Sequence, residues 1–296
     1  MSKYRTPLRY PGGKQRLAVF LGEVLEHNDA VGWDYVEPYA GGAGVAMELL
    51  LDQKVGHVYL NDSSLHVYAF WKAILSDPER FCRRISTASL TVDTWKKHRA
   101  IVRDSANHDI TDVGFSTFYL NRCNRSGILT AGVIGGLSQD GRWRIDARFP
   151  RNELIKRIET IAQNRRRITV TNLDAERFMI GRVNALAPET IVYCDPPYYE
   201  RAERLYLNAY ERDDHTRLAK LIQSKLHRPW LVSYDAHPNI ISLYHKRRRF
   251  RYALSYSAIR AYEAQEVFFF SDDLEPPRTS ALPYIARALK TSRRCA

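Results

Sequence analysis

Asp34-Tyr35-Val36-Glu37-Pro38-Tyr39-Ala40-Gly41-Gly42-Ala43-Gly44 is the stretch that decides the fold. Residues 34–37 favour a short strand and Pro38 ends it; a glycine-rich loop follows, then Val45, Met47, Leu49 and Leu50 on a helix. Strand, glycine loop, helix is the first unit of a Rossmann-like nucleotide site, where the backbone comes close to its ligand. The loop is not G-x-G-x-x-G, so alone it is a weak signal. Its weight comes from Val58-Tyr59-Leu60, which reads as the next strand and ends in Asn61-Asp62. An acidic residue there can accept both hydrogens of a ribose diol.

Working outward, Ile191-Val192-Tyr193-Cys194 reads as a buried strand that stops at Asp195-Pro196-Pro197-Tyr198-Tyr199. Neither proline can donate a backbone hydrogen bond, and each restricts the residue before it, so the turn is stiff and extended. It presents a carboxylate, free carbonyls and the ring of Tyr198 at the carboxyl end of a strand, where open α/β sheets bind ligands. An acceptor-only carboxylate beside a carbonyl suits a flat NH2 group. An ordinary strand-to-turn boundary has the same sequence signature, so the surrounding motifs must decide.

Three more places add to the pattern. Tyr10-Pro11-Gly12-Gly13-Lys14 is a turn that opens a helix through Leu17, Phe20, Leu21, Val24 and Leu25. Amides at a helix start plus a lysine suit a carboxylate or phosphate. Ile168-Thr169-Val170-Thr171 is a strand with Asp174 just beyond it, and 230–234 is another buried strand. Residues 250–259 and 266–270 read as a terminal strand pair. Residues 200–214 have no clear period and read as a loop over the site; from 274 onward the chain reads as a partly disordered tail.

Between residues 76 and 164 the strand–helix rhythm breaks. Residues 78–84 and 92–103 look helical, and 115–120 is an aromatic-rich helix or strand. It leads into Asn121, Arg122, Asn124 and Arg125. Glycines at 132, 135, 136 and 141 mark a loose loop, and 141–146, with Arg142 and Arg144, alternates like an exposed strand. Arginine and asparagine are side chains that contact phosphates and base edges. The section reads as an insertion; a solvated helical subdomain is the alternative.

The chain has 296 residues and a formal net charge of +12, an excess that favours a polyanionic partner such as nucleic acid. The clusters 165–167 and 246–249 point the same way. No apolar run approaches the roughly 18–20 residues of a membrane span, and the N-terminus lacks an apolar signal core, so a cytoplasmic protein without a membrane partner is expected. The four cysteines are far apart and form no metal or disulfide spacing.

Together these blocks resemble the DNA adenine methyltransferase family, the S-adenosylmethionine-dependent enzymes that methylate the exocyclic amino group of adenine. The branch is the one related to the bacterial GATC-modifying enzyme. The resemblance rests on 7–14, 36–44, 60–62 with Tyr68, 118–127, Asp174, 193–198, Asp214-His215 with Leu218, and 232–234. It implies an α/β, Rossmann-like class I methyltransferase sheet with helices on both faces and an inserted, mostly helical target-recognition subdomain. The catalytic domain would span 1–75 and 165–273, the recognition subdomain 76–164, and the tail 274–296.

The resemblance also implies roles. Tyr10, Gly12 and Lys14 would hold the methionine end of S-adenosylmethionine. The loop with Glu37, Pro38, Tyr39 and Gly41 would wrap its methionine and sugar, Asp62 would bind the ribose, and Asp174 would touch the cofactor adenine. Asp195, which also borders the cofactor, and the Pro196 carbonyl would accept hydrogens from the target amino group; Pro197 stiffens the turn and Tyr198 would stack on a flipped base. Asn121, Arg122, Asn124, Arg125, Arg142 and Arg144 would contact double-stranded DNA. No metal is expected, because the sulfonium already activates the methyl group. A cognate restriction enzyme is a candidate partner, and a monomer is expected.

The chain departs from the family in its recognition hairpin. Asn-Gly followed by Arg and Asn is common there, whereas Arg125-Ser126-Gly127 runs into Ile128 without that arginine, so GATC is not the implied site. RNA-adenine, N4-cytosine and protein-glutamine methylation, a catalytically silent DNA-binding relative and a nicotinamide dehydrogenase are the rival readings.

Overall fold

The computed structural model describes residues 5–9, 17–199, 210–256 and 262–277, with the backbone alone at 253–256 and 262–265. The expectations for Tyr10, Gly12 and Lys14, for 200–209 and for the tail beyond 277 lie outside the described residues. The elements are α1 (Leu17–His27), β1 (Asp34–Glu37), α2 (Gly44–Leu51), β2 (Val58–Asn61), α3 (Leu65–Ser76), α4 (Pro78–Thr87), α5 (Val92–Arg103), α6 (Ile110–Cys123) and α7 (Arg151–Gln163). They continue with β3 (Ile168–Thr171), α8 (Ala175–Gly181), β4 (Thr190–Cys194), α9 (Arg212–Lys225), β5 (Trp230–Asp235), α10 (Pro238–Leu243), β6 (Arg248–Tyr256) and β7 (Tyr262–Phe270).

Seven strands form one sheet in the order β3-β2-β1-β4-β5-β7-β6, flanked by helices. β1 pairs parallel with β4, and β4 with β5. All residues of β4 and β5 are buried, as continuous apolar runs in a covered parallel sheet must be. β7 pairs antiparallel with β5 and β6, so the predicted terminal strand pair is a hairpin at one edge. Among the described residues, no helix is long and apolar enough to cross a membrane.

The chain divides into two compact units. The first holds 40–48 and 59–174 with the N-terminal segment 1–15. Its core is aromatic: Phe70 stacks on Phe118 with ring centroids 6.0 Å apart, and Phe81 meets both edge-on. α6 can approach α3 this closely because residue 114 is glycine; a Cβ there would lie 2.4 Å from the Ala69 carbonyl. The helices begin where their caps dictate, with the side chain of Asp77 accepting from Arg80 N, Thr91 from Thr94 N and Asp109 from Thr111 N.

The second unit holds 16–39, 49–58 and 175–296. Phe20 of α1 stacks on Phe268 of β7 at 4.8 Å and on Phe250 of β6 at 5.4 Å. On the other face of β5 and β7, Tyr244 stacks on Phe269 at 4.6 Å.

The aromatic segment 115–120, open between helix and strand in the sequence, is helix. The exposed strand expected at 141–146 is not formed; the segment consists of bends and turns. Gln139 is the reason. Its side chain donates to the Ile134 and Gly136 carbonyls and accepts from Ile145 N, so the loop closes on its own backbone.

Candidate functional site

The switch point of the sheet lies between β1 and β4, within the second unit. Strand order runs outward in opposite directions from this pair, which opens a crevice at the carboxyl ends of its strands. Glu37 closes β1 and Asp195 follows β4. Tyr35 pairs with Ile191 and Tyr193 with Leu231, so alternation puts Tyr35, Glu37, Tyr193, Asp195 and Ser233 on one face. Glu266 of β7 and Tyr252 of β6, themselves opposed, extend the same row.

This row is a set of carboxylates answered by hydroxyls. Ser233 Oγ donates to Asp195 Oδ1 at 3.0 Å, and the Tyr193 hydroxyl lies 2.9 Å from Ser233 Oγ. The Tyr35 hydroxyl donates to Glu37 Oε1 at 3.2 Å. Glu266 is clamped from both sides: Tyr198 donates to Oε1 at 2.6 Å and Tyr252 to Oε2 at 2.5 Å. Burial holds the Tyr193 hydroxyl well above the usual tyrosine range, reinforced by Asp195, Glu266 and Glu37. Three carboxylates on one face suit a cationic group or an amino donor.

Asp195 and Pro197 are half-buried, Pro196 is buried and Tyr198 is 5% exposed. The open aromatic face expected at Tyr198 is therefore covered in this conformation, its hydroxyl being drawn inward to Glu266. The turn is secured further on, where Tyr199 N donates to Asp235 Oδ1 at 3.1 Å and its ring stacks on His237 at 4.3 Å. On the opposite face of β5, His215 Nδ1 pairs with the Tyr234 hydroxyl at 3.0 Å. Burial lowers the pKa of His215 below the usual histidine value.

In the first unit, the glycine loop and Asp62 are tied together. Gly41 N donates to Asp62 Oδ2 at 2.8 Å and Ser64 N to Oδ1 at 2.9 Å. Gly41 takes a left-handed φ of 46°, which glycine adopts without a Cβ penalty. Its carbonyl accepts from Trp71 Nε1 at 3.0 Å, and the Gly42 carbonyl from Thr6 Oγ1 at 2.5 Å. Burial raises the Asp62 carboxyl above the usual range, against the pull of the two amides. Two amides leave a carboxylate with further acceptor capacity, so Asp62 fits the ribose hydroxyls of a nucleoside. Asp174, beyond β3, is exposed.

The proposed DNA contacts divide sharply. Asn121, Arg122 and Asn124 are buried and occupied internally. Asn121 accepts from Arg9 N at 2.7 Å and donates to the Arg9 and Gly127 carbonyls. Arg122 donates to the Arg148 and Pro7 carbonyls. Asn124 accepts from Trp95 Nε1 at 2.6 Å and donates to the Ile128 and Leu129 carbonyls. This corrects the sequence expectation for all three: they hold residues 7–9 and 125–129 in place rather than face a duplex. Desolvation, together with Arg9, Arg157 and Arg148, lowers the Arg122 pKa to about 9, so the fold bears a cost to keep it there. Arg125, Arg142 and Arg144 are exposed, as a phosphate contact requires.

Sequence reasoning missed Glu266, the role of Ser233, and Trp143. Trp143 is 61% exposed with Arg142 stacked on it at 5.4 Å. An aromatic between two arginines was the available signal for Trp143. Cross-strand pairing, which a single sequence does not print, was needed for the other two.

A family model described as D12 class N6 adenine-specific DNA methyltransferase matches residues 10–267. No curated protein matches the chain significantly. Among solved structures, the chain is similar to a putative RNA methyltransferase, PH1948, from Pyrococcus horikoshii, at 11% identity, 89% coverage of this chain, 86% of that chain and a TM-score of 0.42. It is also similar to the rRNA methyltransferase aviRa from Streptomyces viridochromogenes, at 13% identity, 89% and 87% coverage and a TM-score of 0.39.

Proposed function

The chain belongs to the D12 class N6 adenine-specific DNA methyltransferase family, and we propose that it methylates the exocyclic N6 amino group of adenine in double-stranded DNA. The methyl donor is S-adenosylmethionine, and the target base is rotated out of the duplex. The observation that carries this reading is Asp195: a half-buried carboxylate at the switch point that accepts from Ser233 Oγ and is followed by Pro196.

Bound S-adenosylmethionine supplies a methyl group already activated on a sulfonium. Within the first unit the residues present fit it: Asp62 keeps acceptor capacity for its ribose, and the Gly41 loop allows close backbone approach. Tyr10, Gly12, Lys14, Glu37, Pro38, Tyr39 and Asp174 complete the assignment.

The adenine amino group is a poor nucleophile because its lone pair is delocalised into the ring. Asp195 and the Pro196 carbonyl accept its two hydrogens and favour a more localised lone pair. The carboxylate also offsets the positive charge that develops on nitrogen. A base inside a duplex cannot reach this turn, so extrusion costs a few kcal/mol of pairing and stacking. Tyr198 repays part of that cost by stacking once its cover is displaced, on the order of 1–3 kcal/mol. Residues 76–164 supply target recognition, with Arg125, Arg142 and Arg144 on phosphates or base edges. The chain works as a cytoplasmic monomer, and its partner is DNA, with a cognate restriction enzyme as a second candidate.

The test is tritiated-methyl transfer to unmethylated genomic DNA, with total RNA as the parallel substrate. Transfer to DNA that Asp195→Ala abolishes supports the reading. Transfer to RNA alone, or near wild-type transfer by Asp195→Ala, contradicts it.

A further inference from the structure

We propose that Ser233 is the positioning residue for Asp195, and that the Tyr193 hydroxyl in turn fixes Ser233. The inference rests on the reading of Asp195 as acceptor of the target amino group. β4 and β5 are in register through Cys194 and Val232, so Asp195 and Ser233 are the next pair along. Ser233 is fully buried and Tyr193 is 2% exposed. A hydroxyl carries one proton, and that of Ser233 goes to Asp195 Oδ1 at 3.0 Å. The contact of 2.9 Å between Tyr193 and Ser233 therefore has Tyr193 as donor. The result is a directed relay from Tyr193 to Ser233 to Asp195.

The relay matters because the terminal torsion of an aspartate is broad and roughly two-fold. A carboxylate at the end of a strand can rotate its plane freely unless something binds one oxygen. An ionised carboxylate has about four acceptor positions, so the bond from Ser233 restricts its plane while occupying one of them. Acceptance of an amino hydrogen depends on that plane, since productive geometry is what the site contributes. A merely structural serine would affect folding and ligand affinity; a positioning serine affects turnover.

The experiment uses the full-length chain, unmethylated genomic DNA and S-adenosylmethionine. It measures kcat and KM for transfer, the cofactor dissociation constant by calorimetry, and thermal melting. Ser233→Ala should lower kcat about 10- to 100-fold, the loss of one hydrogen bond to a charged group, with cofactor affinity within about threefold. Tyr193→Phe, which keeps the ring and its packing, should lower kcat about 3- to 10-fold. The double variant should be no slower than Ser233→Ala, because both act through one bond. If Ser233→Ala does not fold, Tyr193→Phe decides alone. Wild-type kcat in the variant that decides, or losses that multiply in the double variant, would overturn the relay while leaving the proposed function standing. An active-site reading that is itself wrong shows differently: the wild-type chain then transfers no methyl group to DNA, and the relay falls with it.

Discussion

Two strand-end carboxylates in this chain are held in opposite ways. Asp62 receives two backbone amides, from Gly41 and Ser64. Asp195 receives a side-chain hydroxyl, from Ser233 on the neighbouring strand. The first arrangement is local: a glycine loop close enough to donate an amide is written into the sequence beside its strand. The second depends on register between β4 and β5, across 38 residues of chain. Under the proposed function, the carboxylate that binds the cofactor rests on backbone amides, and the one that meets the target base rests on a side chain from another strand.

Substitutions can break this contrast at either end. The largest effect is expected at Asp195: Asp195→Asn should reduce methyl transfer at least about 100-fold, while cofactor affinity, measured by calorimetry, stays within about threefold. Asp62→Asn should do the reverse. It should weaken S-adenosylmethionine binding by about 10- to 100-fold, the scale of a charge-assisted hydrogen bond, and leave kcat at saturating cofactor nearly unchanged.

Asn124→Ala tests whether the buried end of α6 is scaffold. Its side chain bonds Trp95, Ile128 and Leu129 in the interior. Urea unfolding should show a loss of about 2–4 kcal/mol, whereas the salt dependence of DNA affinity should keep its slope. Arg144→Ala, on the exposed loop, should instead lower that slope by about one and leave stability within about 0.5 kcal/mol.

A further contrast is a pH signature in the first unit. Burial, reinforced by Arg84, lowers His98 to about 4 from 6.5, against a weaker pull from Asp112. Between those values the unfolded chain binds more protons than the folded one, so stability falls as pH drops from about 6.5 to 4. Thermal melts of His98→Gln should show a shallower decline over that window.

Much of the fold was legible because its signals are local. Residues 34–44 gave a strand, a loop and a helix in the order observed, and 191–194 and 230–234 are strands whose apolar runs fit burial on both faces. The signals failed where a side chain's destination depends on distant partners. Asn121, Arg122 and Asn124 have the composition of a nucleic-acid surface, yet they turn inward, where the carbonyls of Pro7, Arg9, Gly127, Ile128, Leu129 and Arg148 accept from their side chains. Residues 141–146 alternate like a strand, but the Gln139 side chain closes the loop on its own backbone. Glu266 sits in a strand among phenylalanines and shows its role only when β5, β6 and β7 are laid side by side.

The most direct test of the central claim is the identity of the modified base. DNA from a methylation-free host expressing the chain should be hydrolysed to nucleosides and analysed by mass spectrometry. The account predicts N6-methyldeoxyadenosine that depends on an intact Asp195. N4-methyldeoxycytidine in its place, or no methylated base in DNA from cells that make the folded protein, would contradict it.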